Sequence, residues 1–235
     1  MPPFDEILYS EIPMNKAVVL LSGGLDSSTA LGWALSEGYS VFTLNFDYGQ
    51  KHSKELKCAR DLAKFYKVPY QLVRFSLPWG GSALLEKKLR VPKLRSLKKI
   101  GSGEIPITYV PARNTLFLSF ALSYAETLGA GAIIIGANAV DYSGYPDCRP
   151  QYMKAVQSVA HLGTKRGVEG KKIKILAPLI HLTKREIILL GTKLNVPYPL
   201  TWSCYSGGKK PCGACDSCLL RRKGFEESGR ADPIY

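Results

Sequence analysis

Residues 17–28 read AVVLLSGGLDSS, and this stretch decides the fold that the rest of the sequence must fit. Its first five residues form an unbroken apolar run, which is typical of a β-strand buried on both faces of a parallel sheet. Gly23 and Gly24 then favour a tight turn, and Asp26 or Ser27 can cap the helix that follows. A strand, a glycine turn and a helix in succession predict the first βα unit of a nucleotide-binding α/β domain.

The remainder of the sequence continues this alternation of strands and helices. The further predicted strands are Ser40–Phe46, Tyr70–Val73, Ala132–Gly136 and Ile173–Leu176, and the further predicted helices are Ser53–Tyr66, Ala112–Leu128, Gln151–Leu162 and Lys184–Asn195. This order predicts an α/β fold with a doubly wound, mostly parallel sheet, whose strands point their carboxyl ends toward one ligand-binding edge. We expect an ATP-binding α/β domain over residues 1–200 and a C-terminal segment over residues 201–235 that packs on it.

The loop after the first strand has the features of a phosphate-binding site. Backbone amides at a glycine turn and the positive end of a helix dipole both favour an anion such as the phosphates of ATP. The serine hydroxyls add donors, and Asp26 either contacts the Mg²⁺ of the nucleotide or caps the helix. The sequence contains no Walker motif, GxxxxGK[ST]. The predicted nucleotide-binding residues of this loop are Leu21, Ser22, Gly23, Gly24, Leu25, Asp26, Ser27 and Ser28.

Four of the six cysteines lie near the C-terminus with the spacing of a metal site. They are Cys204, Cys212, Cys215 and Cys218, which give the pattern C-x₇-C-x₂-C-x₂-C. Four thiolates at such a spacing can complete a tetrahedral Zn²⁺ shell, and because no position is left for water, we expect the zinc to be structural. An iron–sulfur cluster and a redox-active cysteine pair are the alternatives.

The composition limits the cellular setting and the partners. The first residues lack the basic and apolar regions of a signal peptide, and no apolar run reaches membrane-spanning length, so we expect a cytoplasmic location without membrane contact. The formal charge is +13, from 32 Lys and Arg against 19 Asp and Glu. Residues 87–99, here called the basic segment, hold seven of these cations. The segment is either a solvated surface or a contact for nucleic acid or another polyanion.

A polar and aromatic loop follows the fourth predicted strand, at the same edge as the phosphate loop. It spans residues 141–149 and reads DYSGYPDCR. Tyrosine rings can stack on an aromatic base, an aspartate can accept hydrogen bonds from base N–H groups, and an arginine can bind a carboxylate through two parallel bonds. The candidate substrate-binding residues are Tyr142, Tyr145, Asp147, with Asp141 as its alternative, and Arg149. An ordinary turn is the other interpretation of this loop taken alone.

Further motifs carry a resemblance to one enzyme family. They are Tyr48-Gly49-Gln50 with His52, Val110-Pro111-Ala112-Arg113-Asn114, Thr183-Lys184 and Thr201-Trp202-Ser203-Cys204-Tyr205. Together with S-G-G-L-D-S-S, Y-S-G-Y-P-D-C-R and C-G-A-C-D-S-C, they make nearly the whole chain resemble the 7-cyano-7-deazaguanine synthases. That family belongs to the PP-loop ATP pyrophosphatases, whose fold is adenine-nucleotide alpha-hydrolase-like.

The resemblance implies a reaction and its ligands. The reaction is an ATP-dependent carbon–nitrogen ligation that converts 7-carboxy-7-deazaguanine and ammonia into 7-cyano-7-deazaguanine, a precursor of queuosine and archaeosine, through an acyl adenylate and an amide. ATP, Mg²⁺ and one structural Zn²⁺ per subunit are the implied cofactors, and a homodimer is the implied assembly. No glutaminase domain fits in the chain, so the ammonia is free or comes from a partner.

The same resemblance assigns roles to individual residues. The implied catalytic residues are Ser22, Asp26, Ser27 and Lys184. Arg113 and Lys184 would also bind the phosphates, with a surface or helix-cap charge as the alternative for each. Asp147 would recognise the guanine-like edge of the substrate, and Arg149 its carboxylate.

Two other functions fit parts of the sequence. A PP-loop thiolase acting on tRNA would suit the positive charge, but it needs a reactive cysteine outside the zinc set, where only Cys58 and Cys148 remain. A zinc module that binds RNA without catalysis would leave the phosphate loop without a role. Cys148 is also a candidate nucleophile, although the adenylate route requires no thiol.

Overall fold

Five parallel strands form the central sheet of the structure, a computed structural model that describes residues 15–140 and 144–235. The strands are β1 (Lys16–Leu20), β2 (Ser40–Asp47), β3 (Tyr70–Arg74), β4 (Ala132–Ile135) and β5 (Lys174–Leu176). They lie in the order β3-β2-β1-β4-β5, and each neighbouring pair is parallel. Every predicted strand is confirmed to within one residue at each end.

Helices and short 3₁₀ turns connect the strands. The helices in the described part of the chain are α1 (Leu25–Ser36), α2 (Lys54–Phe65), α3 (Leu97–Ile100), α4 (Arg113–Leu128), α5 (Pro150–Leu162), α6 (Lys165–Val168), α7 (Lys184–Lys193) and α8 (Asp216–Glu227), with 3₁₀ turns at Pro146–Cys148 and Tyr198–Leu200. All helices predicted from the sequence are confirmed, whereas α3, α6 and α8 are not among the predicted elements. Within the described residues, no helix is both long and apolar enough to cross a membrane.

The central strands β1 and β4 are buried on both faces, which is why they read as continuous apolar runs. Val18 and Ile133 point to one face and pack in a core that α4 and α5 cover. Val19 and Ile134, their neighbours in sequence, point to the other face and pack under α1, α2 and α7. The predicted doubly wound α/β architecture is therefore confirmed.

The strand order creates a switch point between β1 and β4. From β1 the chain builds β2 and β3 toward one side, whereas β4 and β5 extend the sheet toward the other. Parallel α/β sheets bind ligands beyond the carboxyl ends of the strands at such a point. The two loops meet closely here, because a Cβ atom at Gly136 would lie 2.8 Å from the backbone N of Ser27. A larger residue at Gly136 would therefore displace the phosphate loop.

The C-terminal segment packs directly on the phosphate loop and on α7. The Trp202 N–H donates a hydrogen bond to the Gly23 carbonyl at 2.8 Å. Arg221 of α8 is almost completely buried and binds Asp232 with Nε–Oδ2 at 2.7 Å, while its Nη1 donates to Thr201 Oγ1 at 2.8 Å. These contacts hold the end of the chain against the residues that follow position 200. The predicted domain boundary at residue 200 stays a prediction.

Candidate active site

A cavity of about 280 Å³ opens beside the carboxyl ends of β1, β2 and β4. Many residues that the sequence predicts to bind nucleotide or substrate form its wall. Those that line it are Leu21, Ser22, Gly24, Leu25, Asp26, Ser27, Arg113, Tyr145 and Lys184. The other predicted residues among the described ones, Gly23, Ser28, Asp147 and Arg149, do not line it. The fold thus gathers distant parts of the sequence at the predicted edge.

The phosphate loop is held in shape by its own hydroxyls. Ser22 Oγ lies 2.9 Å from Ser27 Oγ, and Ser28 Oγ donates to the Gly24 carbonyl at 2.7 Å. The prediction that Asp26 or Ser27 caps α1 is wrong, because the N-cap residue is Gly24, which has no side chain to form a capping hydrogen bond. Gly23 has a φ of +84°, and a Cβ atom there would lie 2.3 Å from the carbonyl oxygen of Glu55. A glycine is therefore required for α2 to approach the loop.

Asp26 and Lys184 form an ion pair in the wall of the cavity. The Lys184 Nζ lies 2.7 Å from each carboxylate oxygen of Asp26, although the two residues are 158 positions apart. The Lys184 side chain is only 11% exposed, so it is not a surface charge. It does not cap α7 either, because Thr183 is the N-cap and forms a capping box with Glu186. Both alternatives for Lys184 are therefore wrong, and its charge is directed at the phosphate loop.

Arg113 begins α4 and presents a second cation to the cavity. Its Nη1 donates to the Tyr48 hydroxyl at 3.3 Å, and its guanidinium lies 5.6 Å from the centre of the Phe117 ring. The Arg113 Nε is buried and has no hydrogen-bond partner among the described residues. A buried donor without a partner is costly unless a ligand satisfies it, and an anion is the natural ligand for a guanidinium.

The predicted binding residues in the loop of residues 141–149 lie in different surroundings. Tyr145 lines the cavity, with its hydroxyl 3.1 Å from Thr108 Oγ1. Asp147 is buried, and its Oδ2 accepts a hydrogen bond from the Asn114 N–H at 3.0 Å. Arg149 is exposed at the start of α5, and Tyr142 lies outside the described residues. Their predicted roles in substrate binding stay predictions.

Cys148 lies in the same loop and is the candidate nucleophile of the sequence analysis. Its Sγ lines the cavity and accepts a hydrogen bond from Asn114 Nδ2 at 3.2 Å. Burial, reinforced by the neighbouring charge of Asp147, raises the pKa of the Cys148 thiol to about 12. Since the thiolate is the reactive form, a thiol that stays protonated at neutral pH is poorly suited to attack.

The four C-terminal cysteines form a candidate metal centre. The sulfur atoms of Cys204, Cys212, Cys215 and Cys218 all lie within 4.8 Å of one another, and Cys212 Sγ is 3.9 Å from Cys218 Sγ. A tetrahedral shell with Zn–S bonds of about 2.3 Å would separate its sulfurs by about 3.8 Å. Hydrogen bonds from the Cys215 and Cys218 thiols, and then from backbone amides, lower the pKa of Cys204. The donor set therefore fits a four-thiolate metal ion.

The basic segment lies against this metal centre. Lys93 forms an antiparallel bridge with Cys215, and the Leu94 N–H donates to the Ala214 carbonyl at 2.8 Å. The Arg95 Nη1 lies 2.8 Å from the buried carboxylate of Asp216. The centre of the segment is thus part of the packed structure, while its other basic side chains are exposed. Contact with a polyanion stays a prediction.

Comparison with known families decides where the chain belongs. A family model described as "Queuosine biosynthesis protein QueC" matches residues 16–229. The chain belongs to the QueC family. The family that the sequence motifs resemble is thereby confirmed, and it is a family of queuosine biosynthesis.

Curated relatives of this QueC-family chain match it over nearly its full length. It is 55% identical over 220 residues to the 7-cyano-7-deazaguanine synthase of Thermoplasma volcanium, covering 94% of this chain and 90% of the relative. It is 56% identical over 221 residues to the 7-cyano-7-deazaguanine synthase of Nostoc punctiforme, covering 93% of this chain and 98% of the relative. Relatives from archaea and bacteria therefore carry the same enzyme name.

Solved structures with the same general shape are more distant. The NMN synthetase of Francisella tularensis superposes with a TM-score of 0.49 at 16% identity, covering 93% of this chain and 79% of that chain. The U34-tRNA thiolase NcsA of Methanococcus maripaludis superposes with a TM-score of 0.46 at 18% identity, covering 92% of this chain and 66% of that chain.

One acidic residue of the cavity wall in this QueC-family chain is not among the site residues predicted from the sequence. Glu55 lies in the first turn of α2, and its Oε1 is 3.4 Å from Gln50 Nε2. Burial raises the pKa of the Glu55 carboxyl from 4.5 to about 7, although the charge of Arg113 and the bond from Gln50 act in the opposite direction. The available signal was an acid five residues after the Tyr48-Gly49-Gln50 motif, at the start of the predicted helix Ser53–Tyr66.

Replacement of Glu55 with glutamine is expected to stabilise the fold at alkaline pH. A raised pKa means that the folded chain binds the proton more tightly, so the wild-type chain loses stability as the pH rises from 4.5 through about 7. The glutamine cannot ionise and avoids this loss. Because the side chain is half-buried, we expect a gain in the free energy of unfolding on the order of 1–2 kcal/mol above that range and about none below it.

Urea unfolding curves of both chains at several pH values would measure this difference. Glu37→Gln is the matched control, because Glu37 is exposed at the end of α1. A Glu55→Gln gain that did not change with pH would contradict the raised pKa.

Proposed function

We propose that the chain is an ATP-dependent carbon–nitrogen ligase that converts 7-carboxy-7-deazaguanine and ammonia into 7-cyano-7-deazaguanine. The observation that carries this proposal is that one cavity is lined by the phosphate loop, Lys184 and Arg113 together. Cations and backbone donors gathered around one cavity suit a nucleotide whose α-phosphate is under attack. The names of the relatives supply the substrate class.

In the first step, the substrate carboxylate attacks the α-phosphorus of ATP and pyrophosphate leaves. The Ser22 and Ser27 hydroxyls, together with the first amides of α1, would hold the departing pyrophosphate. Lys184, paired with Asp26, would offset the negative charge that develops on the phosphates. The product is an acyl adenylate, whose acyl carbon is a far better electrophile than the carbon of the free carboxylate.

Two further steps complete the conversion. Ammonia attacks the acyl carbon, the bond to AMP breaks, and AMP leaves with the electron pair to give the amide. The amide oxygen then attacks the α-phosphorus of a second ATP and releases pyrophosphate. Loss of the remaining N–H protons and of AMP forms the carbon–nitrogen triple bond. Two ATP molecules are thus consumed for each nitrile.

The proposal includes two metal ions with different roles. Asp26 would hold the Mg²⁺ that accompanies ATP, and this ion would neutralise charge on the leaving pyrophosphate. Four thiolates would hold Zn²⁺ as a structural ion that fixes the C-terminal segment against the cavity, supported by the close spacing of their sulfur atoms.

Recognition of the deazaguanine is proposed to lie with the loop of residues 141–149. Tyr145 already lines the cavity and can stack on the ring system. The proposed roles of Asp147 and Arg149 require that the loop present them to the cavity when substrate is bound. Tyr142 is proposed as the second stacking residue.

The proposed setting is a homodimer in the cytoplasm. Exposed apolar side chains around α5 and α6, namely Val159, Leu162 and Val168, support self-association. A reducing compartment suits a site of four thiolates. Because the substrates are small molecules, the reaction requires no nucleic acid.

Incubation of the chain with Mg-ATP, ammonium and 7-carboxy-7-deazaguanine is expected to give the amide and then the nitrile. Mass spectrometry would detect both products, and AMP should reach about two molecules per nitrile because each activation cleaves one ATP. Omission of the deazaguanine is the control and should abolish AMP release. If neither the amide nor the nitrile formed, the proposed function would be wrong.

A further inference from the structure

Glu55 is an acidic group in the cavity wall that has no role in the proposed steps of the ligation. Its position is fixed by Gln50, whose Nε2 lies 3.4 Å from the carboxylate. Gln50 is itself held, because its Nε2 donates to the Phe46 carbonyl at 3.1 Å and its Oε1 accepts from the Tyr48 N–H at 2.8 Å. The carboxylate is therefore oriented by a chain of hydrogen bonds and is not a mobile surface group.

The groups that face Glu55 leave it available for a cationic ligand. Arg113 of α4 is the cation whose charge acts on Glu55, but its Nη1 donates a hydrogen bond to the Tyr48 hydroxyl. Cys58 lies one turn further along α2, and its pKa is raised, so it adds no charge at neutral pH. Among residues 15–140 and 144–235, none of the ion pairs of 4.0 Å or less includes Glu55. A half-buried carboxylate without an ion pair is a costly arrangement unless a ligand uses it.

The helix that carries Glu55 also touches the phosphate loop. The Glu55 carbonyl is so close to Gly23 that only a glycine fits there. The acid is therefore attached to the wall beside which the acyl adenylate would form. A group at this place can act on the second reactant of the proposed ligation.

We propose that Glu55 binds the incoming ammonium ion and accepts one of its protons, so that neutral ammonia attacks the acyl adenylate. This inference rests on the proposed function. It answers a chemical need, because at neutral pH most ammonia is present as ammonium, which has no lone pair with which to attack. A buried carboxylate provides both a cation site and a base for this purpose.

Amide formation begins with a proton transfer from ammonium to Glu55. Ammonium gives one proton to a Glu55 oxygen, which leaves ammonia and a neutral carboxyl group. The nitrogen forms its bond to the acyl carbon, the bond from that carbon to the AMP oxygen breaks, and AMP takes the electron pair. The nitrogen then loses a second proton to solvent, and Glu55 releases its own proton before the next cycle.

The surroundings of Glu55 suit a proton acceptor. Burial raises its pKa to about 7, where the group can hold a proton and release it within one cycle. Its ionised form predominates above that pH, so the amidation rate should rise as the pH increases through about 7. The other titratable groups that line the cavity are Asp26, Tyr48, Arg113, Tyr145, Cys148, Lys184, Tyr205 and Arg221. Burial raises the pKa of Tyr48 and of Cys148 above the neutral range.

The test separates adenylation from amidation. Exchange of labelled pyrophosphate into ATP, dependent on 7-carboxy-7-deazaguanine and measured without ammonium, reports the first step alone. Glu55→Gln should keep this exchange within about two-fold of the wild-type rate. Its amide formation from ammonium chloride near neutral pH should fall by about 100-fold, the usual contribution of a positioned base. Glu37→Gln should retain both rates.

Hydroxylamine supplies the readout that a structural role would not change. It is largely neutral near pH 7 and needs no base, so Glu55→Gln should form the hydroxamate within about three-fold of the wild-type rate. Higher pH should partly restore amide formation from ammonium, and Glu55→Asp should keep a part of the wild-type preference for it. These results together would support the inference.

Three outcomes would overturn it. No exchange in the wild-type chain would overturn the proposed function and this inference with it. Normal exchange together with near wild-type amidation by Glu55→Gln would overturn this inference alone. An equal loss with hydroxylamine and with ammonium, in a variant whose exchange is intact, would also overturn it, because Glu55 would then not act on the proton.

Discussion

A Cys215→Ser chain is expected to lose the proposed zinc ion and to unfold far more easily than the wild-type chain. Cys215 is completely buried, and its sulfur belongs to the four-sulfur cluster. Metal binding to such a site contributes about 10–16 kcal/mol in isolated zinc-finger peptides, because binding and folding are one process there. The packed α/β body retains part of the structure here, so we expect a loss of at least about 4 kcal/mol in the free energy of unfolding.

The loss should extend beyond the cysteines because other segments depend on them. The basic segment packs against the same four-cysteine cluster. Its Lys93 forms an antiparallel bridge with Cys215, and Arg95 forms an ion pair with the adjacent Asp216. Trp202 and Tyr205, which flank Cys204, the first cysteine of the cluster, line the cavity. We therefore expect the variant to lose the proposed ligase activity together with the proposed zinc ion.

Metal analysis after dialysis and urea unfolding would measure both effects. The wild-type chain should retain about one zinc ion, and Cys215→Ser well under half of that. Cys58→Ser is the matched control, since Cys58 packs against the cluster without belonging to it. A Cys215→Ser chain with wild-type zinc content and an unchanged unfolding midpoint would refute the four-thiolate site.

The sequence predicts the central strands well because they are buried on both faces. The apolar runs at residues 17–21 and 132–136 are too short for a buried helix and end at or near a glycine, so they favour strands, and both match observed strands. Helix α8, in contrast, is not predicted from the sequence. Its buried face includes Asp216 and Arg221, so an apolar stripe of helical period is not visible in the sequence. Arg221 is satisfied by Asp232, Thr201 and Ser203, partners that the fold supplies.

The candidate site is predictable where residues follow a strand directly. Ser22, Asp26 and Ser27 come straight after β1, and the sheet edge brings them to the cavity. The direction of a side chain within a loop is harder to predict. Asp147 and Arg149 are two positions apart, yet one lies buried beneath α4 and the other is exposed. Glu55 is not predicted because its place in the cavity wall depends on how α2 packs in the fold, which no local pattern encodes.

Replacement of Lys184 with glutamine is expected to reduce carboxylate-dependent pyrophosphate exchange by about 100- to 1,000-fold, the usual cost of removing one charge-stabilising donor. The Lys184 ammonium lies 2.7 Å from both oxygens of Asp26 at the phosphate loop, in a cavity wall where it is only 11% exposed. Glutamine keeps a polar side chain but removes the charge. Because the phosphates are more negative in the transition state than in bound ATP, the rate of exchange should fall more than the affinity for ATP.

The matched control for this variant is Lys193→Gln, on the same helix. Lys193 lies exposed in the last turn of α7, away from the cavity, so its loss should leave exchange unchanged. Stability should change little in Lys184→Gln, by about 1 kcal/mol or less, since Asp26 remains partly solvated after losing its partner. A soluble, folded Lys184→Gln chain that exchanged pyrophosphate at the wild-type rate would show that this ion pair only holds α7 against the phosphate loop. The charge stabilisation would then have to come from Arg113, whose buried Nε has no partner among the described residues.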